Sequence, residues 1–355
     1  MSSTPESKGK GRPAPEKGGS AGAAASPAKG GSGASRGSGR PAPAPAPTPS
    51  PTGFKSGFAC FVGRPNAGKS TLTNALVGQK IVITSSKPQT TRHAVRGIVH
   101  RADAQLILVD TPGLHKPRTL LGQRLNDLVK STWAEVDVIG ICLPASDKIG
   151  PGDRFLVAEA AKVAKTPKVA LATKADLVEP ERMIEHLSEI QALGESAGIE
   201  WAAIIPVSAT SGFQVDLVAD ELVQLLPDGF PLYPDGDITD EPEETLVAEL
   251  IREAALEGVR DELPHSIAVT IDEMGLREDR PEDKPLLDIY ANIFLERDSQ
   301  KGIVIGHKGA RLREVGAEAR RQIEALLGTP VYLDLHVKIA KNWQTDAKHL
   351  RKLGF

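Results

Sequence analysis

The chain has 355 residues, 40% of them apolar and 4% aromatic, with a formal net charge of −3; this favours two or three domains with ordinary hydrophobic cores. No apolar run reaches the length of a membrane span, the N-terminus lacks the apolar stretch of a signal peptide, and Cys60 and Cys142 are the only cysteines, which argues against integral membrane proteins and disulfide-built secreted scaffolds. No His/Cys spacing suits a structural metal, and two core thiols in a reducing cytoplasm are expected.

Residues 1–52 are almost wholly Ala, Pro, Gly, Ser and Lys/Arg, with seven basic and two acidic side chains. Nothing there can bury a core, so a disordered basic extension is expected over 1–54, with polyproline character from Pro41 to Pro47. It reads either as a weak electrostatic tether to RNA or as a dispensable extension. From Phe58 to about Leu226 apolar strands alternate with helical patterns. Phe58–Val62, Val95–His100, Gln105–Val109, Val136–Leu143, Lys168–Ala172 and Ala202–Val207 read as strands, and Arg154–Lys165 and Ile184–Leu193 as helices. The alternation predicts an α/β domain over 55–227, a mainly parallel sheet with helices on both faces, whose ligands bind at the carboxyl ends of the strands.

The first strand runs into Gly63-Arg64-Pro65-Asn66-Ala67-Gly68-Lys69-Ser70, a complete phosphate loop, and then into a helical stretch from Thr71 to Val77. That order lets backbone N–H groups and the helix start converge on phosphates. Lys69 is placed for the terminal phosphates and the Ser70 hydroxyl for Mg²⁺. Three further loops follow in the order that a guanine-nucleotide switch requires. In Gln89-Thr90-Thr91-Arg92, Thr91 is chosen over Thr90 as the threonine that ligates Mg²⁺ when a terminal phosphate holds the loop. In Asp110-Thr111-Pro112-Gly113 the carboxylate of Asp110 holds Mg²⁺ and the Gly113 N–H meets the terminal phosphate. In Thr173-Lys174-Ala175-Asp176 the aspartate accepts two hydrogen bonds from the Watson–Crick edge of guanine, a match adenine cannot supply and worth a discrimination of about 10⁴-fold. The Lys174 stem lies over the ring, and Val207-Ser208-Ala209 supplies a backbone amide for the guanine carbonyl. GTP with Mg²⁺ is therefore the expected ligand set.

These loops resemble those of translation-factor-type GTPases, whose guanine loop usually reads Asn-Lys-x-Asp. Thr173 in the asparagine position removes a bidentate amide. Leu114 stands where many small GTPases carry a water-orienting glutamine, so slow intrinsic hydrolysis is expected; about 10⁻⁴ s⁻¹ is the unaided benchmark even with the glutamine. Charge at the transition state then has to come from elsewhere, either a K⁺ ion near Asn66, as the resemblance to hydrophobic-substituted GTPases suggests, or a partner such as RNA. His93 and His115 flank the loops and read as solvated loop histidines rather than general bases. Arg92 reads as a phosphate or RNA contact or as a surface arginine.

Residues 227–244 carry seven acidic side chains, four prolines and no Lys or Arg, a linker by composition, bounded at 228–244. A helix over Glu244–Val259, strands at His265–Glu273 and Leu286–Glu296, a helical pair around Gly306 and a strand at Val331–Ile339 follow. Gly306-His307-Lys308-Gly309 between two helical stretches suits a nucleic-acid backbone clamp of about four nucleotides. His307, Lys308 and Arg311 are the expected phosphate contacts, and residues 301–321 carry six Lys/Arg against two Glu. The order helix, two strands, helix pair, strand predicts a type II KH domain over 245–355 with a basic tail, in which Trp343 looks exposed and ready to stack on a base or else packs on the KH core.

A GTPase domain followed by a type II KH domain resembles the bacterial Era family. The resemblance spans about residues 55–355 and includes the phosphate loop, Ile81-Val82-Ile83-Thr84-Ser85 through Gln89-Thr90-Thr91-Arg92-His93, Asp110 to His115, Leu263-Pro264-His265-Ser266 and Gly306 to Gly309. It implies a monomeric, GTP-driven factor that binds the 3′ region of 16S rRNA during maturation of the 30S subunit, with peripheral membrane association. The proline/alanine-rich extension departs from the family's compact form. An ATP-using phosphate-loop enzyme and an RNA-binding module with a vestigial nucleotide site are the rival readings. Asp176 opposes the first, and intact Lys69, Ser70, Thr91 and Asp110 oppose the second.

Overall fold

The computed structural model describes residues 53–84, 91–114, 119–257, 266–281 and 283–353. The extension expected at 1–52 lies outside them, as do Gln89, Thr90, His115, Pro264 and His265. β1 (Lys55–Val62) has apolar side chains on both faces and therefore takes the middle of the first sheet. It pairs in parallel with β3 (Ala104–Asp110) on one side and β4 (Val138–Cys142) on the other. β2 (Val95–His100), β5 (Lys168–Ala172) and β6 (Trp201–Pro206) complete the order β2-β3-β1-β4-β5-β6, with only β2 antiparallel to its neighbour.

Alternation along β1 assigns its side chains to two cores. Ala59 and Phe61 pack with Leu72 of α1 (Lys69–Val77) and Leu222 of α5 (Val215–Gln224). Cys60 and Val62 pack with Trp133 of α2 (Leu120–Glu135), Leu156 of α3 (Pro151–Ala161) and Ile190 of α4 (Pro180–Ala197). Both cysteines are buried and unbridged, and burial pushes the Cys60 thiol up and that of Cys142 up to about 12. The loops after β1, β3, β5 and β6 all leave the sheet at its carboxyl edge, which is where the site forms.

The second unit follows the order α6 (Glu243–Leu256), β7 (Ala268–Leu276), β8 (Leu287–Leu295), α7 (Lys301–Ile305), α8 (Ala310–Leu327), β9 (Val331–Ile339), α9 (Ala347–Lys352). β7 runs antiparallel to β8 and β8 parallel to β9, the arrangement of a type II KH fold. Ile251 of α6, Ile289 and Ile293 of β8, and Val315, Ala319 and Ile323 of α8 close its core.

Of the stretch 228–244, read from composition as a linker, residues 243–244 open α6 and the rest is held against the first sheet, with 237–240 along the free edge of β2. The amide of Ile98 donates to Ile238 O at 2.9 Å, and Gln105 Oε1 accepts from the amides of Leu232 and Tyr233. Arg96 pairs with Asp240 at 2.8 Å. The edge strand is thereby covered rather than left open to another chain.

A seam joins the two units, through contacts that no sequence pattern announces. Ile83 belongs to the KH apolar core, packed with residues of α6. Lys80 and the Thr84 amide both reach the Glu253 carboxylate, the latter at 2.8 Å. Arg92 is 2% exposed; its Nη1 donates to Ile267 O at 2.6 Å, and its guanidinium lies 5.4 Å from the centre of the Trp343 ring. Trp343 is fully buried, donates its indole N–H to Ser266 O at 3.1 Å, and packs with Leu121 and Leu125 of α2. Two expectations are corrected here. Of the two readings of Trp343, stacking on a base fails and packing holds, its indole filling the seam against Ala268 and Phe294 of the KH sheet as well as α2. Arg92 is neither a surface arginine nor a phosphate contact, because a carbonyl and an aromatic face of the KH unit hold it.

Candidate functional site

Three residues fix the backbone of the phosphate loop. A Cβ on Gly63 would meet the Cys142 carbonyl at 2.9 Å, Asn66 has φ +62°, and Gly68 has φ +89° at the start of α1. Gly68 opens α1, and the N-terminus of that helix is a ready anion site. Lys69 is 6% exposed, and its Nζ donates to the Gly63 and Arg64 carbonyls at 3.2 Å each. Burial lowers its pKa, against the opposing pull of Asp110. A cation held this dry acts on a phosphate with little screening.

Three oxygens meet beside it. Ser70 Oγ lies 2.8 Å from Asp110 Oδ2 and 3.1 Å from Thr91 Oγ1, and Thr91 Oγ1 lies 3.1 Å from the same carboxylate oxygen. Asp110 is fully buried, its other oxygen Oδ1 has no hydrogen-bond partner among the described residues, and burial raises its pKa. A buried carboxylate with an orphaned oxygen, grouped with two hydroxyls, suits a hard oxygen-seeking cation, and Mg²⁺ fits this donor set. Ser70, Thr91 and Asp110 would hold it.

Other expected ligands take different roles. The Thr111 hydroxyl donates to Phe61 O at 3.1 Å and is fully buried, so its side chain fastens the loop to β1. Gly113 sits against Pro65, where a Cβ would come within 3.1 Å of the Pro65 nitrogen. Leu114 is buried in the core beneath α2, so no water-orienting side chain stands at that position. The Arg64 side chain turns away from the phosphates to Asp153, at 2.6 Å, and Asp147, at 3.2 Å; only its backbone belongs to the loop. His93, expected to be solvated, is half-buried, and burial lowers its pKa.

A cavity of about 320 Å³ opens beside the phosphate loop, lined by Gly68, Thr71, Thr173, Lys174, Asp176 and Ala209 among others. Lys174 takes the left-handed conformation, φ +58°, at the turn that presents exposed Asp176. The Ser208 amide is committed to Phe213 O at 3.0 Å, and the Ser208 hydroxyl accepts from Ser211 N. Ala209, on the cavity wall, is then the residue whose amide suits the guanine carbonyl.

The second candidate surface lies on the KH unit. Gly306 has φ +72°, and a Cβ there would meet the Arg311 amide nitrogen at 2.9 Å, so this glycine is required by the turn itself. Gly309, φ +76°, has open space where its Cβ would be, so it is the one that admits a close backbone. His307 and Lys308 are exposed at the tip. A groove of about 550 Å³ runs from Lys308 and Gly309 past Leu312, Arg313, Gly316 and Arg320 of α8 to Leu333 and Leu335 of β9. Arg311, expected to meet phosphate, lies outside the groove lining and here donates to the Glu257 carbonyl and pairs with Glu314 at 3.5 Å. Arg313 and Arg320 were missed, although their i, i+3, i+4 spacing with Gly309, Gly316 and Ala317 marks one helical face.

A model of the "50S ribosome-binding GTPase" family matches residues 58–174, and one of the KH domain matches 262–344. GTPase Era of Nocardioides sp. is 71% identical over 301 residues, covering 85% of this chain and 96% of that protein. GTPase Era of Streptomyces coelicolor is also 71% identical, covering 85% and 95%. Among solved structures, Era of Aquifex aeolicus bound to GDP·AlF4⁻ superposes with a TM-score of 0.80 at 35% identity, covering 85% of this chain and 99% of that one. Era in complex with MgGDPNP and nucleotides 1506–1542 of 16S ribosomal RNA superposes with the same TM-score at 36% identity and the same coverage. With a phosphate loop, a switch threonine and a KH groove in one chain, and relatives of this identity along 85% of it, the protein belongs to the GTPase Era family and is a GTPase.

Proposed function

We propose that this GTPase grips the 3′ region of 16S rRNA in its KH groove during maturation of the 30S subunit, and that the nucleotide state governs the grip through residues 80–93. One observation carries the reading: Thr91 Oγ1 lies 3.1 Å from Asp110 Oδ2, in the oxygen cluster that suits Mg²⁺, while its neighbour Arg92 is locked to Ile267 and Trp343 of the KH unit. A threonine that holds its place only while a terminal phosphate is present would set the position of Arg92. By linkage, whatever RNA does to the seam acts back on the nucleotide with the same free energy. The RNA partner is supported by the relative solved with 16S rRNA nucleotides and by the basic groove from Lys308 to Arg320.

In this reading the loop amides and Lys69 bind and orient the phosphates, with Thr71 at the helix start beside them. Gly113 N–H meets the terminal phosphate, and Asp176 with Ala209 reads the base. Mg²⁺ supplies charge neutralisation at the β- and γ-phosphates when bound. Because Leu114 is buried, water is oriented by something other than a side chain at that position, and a K⁺ ion near Asn66 is the proposed source of extra charge. Turnover compared in K⁺ and Na⁺ buffers, for wild type and Asn66→Ala, tests that element; equal rates throughout would remove it. Peripheral membrane association and a monomeric state belong to the proposal through the family alone; no helix among the described residues is long and apolar enough to cross a membrane.

The deciding experiment is GTP turnover with and without a short pyrimidine-containing RNA from the rRNA 3′ end. Turnover raised by that RNA, and not by one of scrambled sequence, is expected. No turnover in either condition would overturn the reading.

A further inference from the structure

Thr173 occupies the position where related loops carry an amide, and its hydroxyl is already committed. Oγ1 donates to the Ala67 carbonyl at 2.7 Å, in the middle of the phosphate loop. The residue is 4% exposed, and its backbone is fixed in both directions against the end of β4, Thr173 N to Leu143 O at 3.2 Å and Ala145 N to Thr173 O at 2.8 Å. Its Cβ also lies 3.6 Å from where a Cβ on Gly68 would stand. The side chain is therefore a fastener between the base loop and the phosphate loop, and it lines the base cavity.

A hydroxyl has one proton. With that proton on Ala67, Thr173 presents only lone pairs to a ligand. The edge of guanine that carries N7 and O6 presents only acceptors as well. Two acceptors make no hydrogen bond. An asparagine amide has two protons, so it could keep the Ala67 contact and still donate to the base; threonine cannot do both.

We infer that this GTPase leaves N7 of guanine unread, with Asp176 reading the Watson–Crick edge, the Ala209 amide reading O6, and Thr173 serving as a positioning residue. The inference rests on the guanine site proposed above and adds which edge of the base carries recognition. It predicts tolerance of 7-deaza-GTP, in which a C–H replaces N7 and nothing else changes.

The test is displacement of a fluorescent GDP from the full chain, in Mg²⁺, by GTP, 7-deaza-GTP and ATP. Wild type should bind GTP and 7-deaza-GTP within about twofold of each other, because no hydrogen bond is lost. Thr173→Asn should open a preference for GTP over 7-deaza-GTP of about five- to tenfold, the worth of one hydrogen bond. Thr173→Val removes the fastener and should weaken both nucleotides alike, leaving their ratio near one. A wild-type preference for GTP of about fivefold or more, the worth of one hydrogen bond, would overturn the inference and assign N7 to another donor on the cavity wall, such as Thr71 or Thr210. The wild-type ratio decides the matter without any variant. ATP competing as well as GTP would instead overturn the guanine site itself, so the two failures are distinct.

Discussion

The nucleotide face and the seam both draw charged groups out of water, and they complete them in opposite ways. At the nucleotide face Asp110 is fully buried with one oxygen unpartnered among the described residues, and Lys69 is held by two carbonyls rather than a carboxylate. At the seam the Glu253 carboxylate accepts from the Thr84 amide and pairs with Lys80, and Arg92 donates to a carbonyl beneath an indole. A site kept for a ligand stores unmet hydrogen-bonding capacity; an interface between parts of one chain spends it internally. Thr91 and Arg92 put one of each kind side by side, which makes the boundary between the two regions a single peptide bond.

The largest expected effect breaks the seam alone. Trp343→Ala removes a fully buried indole, and such truncations cost ~3–5 kcal/mol. The loss should appear in denaturant unfolding of the full chain; a loss under about 1 kcal/mol would mean the seam bears little of the stability. Lys69→Ala breaks the other side. GTP turnover should fall about 10²–10³-fold, as when a preorganised charge-stabilising donor is removed, while nucleotide-free unfolding changes by less than for Trp343→Ala, because the cost of burying the lysine offsets its attraction to Asp110. Equal damage to stability would erase the contrast drawn above.

A subtler substitution acts at the join. Lysine in place of Arg92 keeps the charge and loses the planar group that lies over Trp343 while donating to Ile267. Arg92→Lys should leave GTP affinity without RNA within about threefold of wild type and shrink the effect of GTP on RNA affinity by about tenfold, the range of a single coupling interaction. Titration of labelled RNA in GDP and in a non-hydrolysable GTP analogue measures it. The smallest effects lie in the groove. Arg313→Ala and Arg320→Ala should each lower the slope of log affinity against log salt by about 0.7, and Arg311→Ala should leave it unchanged because that side chain is turned to Glu257 and Glu314.

How much of this was legible in the chain depends on the range of the interaction. The phosphate loop, Asp110 and Asp176 are short motifs at strand ends, where glycine and turn chemistry fix the backbone over a few residues. Reading them in order therefore pointed to a GTPase and to its candidate nucleotide site. The KH elements followed from apolar periodicity over ten or more residues. Individual side chains inside the motifs were less legible. Arg64, Thr111 and Arg311 stand at the right positions, but their partners Asp153, Phe61 and Glu257 come from elsewhere in the fold.

A nucleotide-binding sheet and a KH unit were legible in the chain, because both rest on local backbone preference and on hydrophobic period. The burial of Trp343, the capture of Arg92 by the KH unit, the cover that 237–240 give the edge of β2, and the commitment of the Thr173 proton to Ala67 came only with the folded structure. These contacts join residues 77 to 251 positions apart or turn on the direction of a single bond. Neither leaves a periodic trace in the chain, since a buried polar group is recognisable only once its partner is in place.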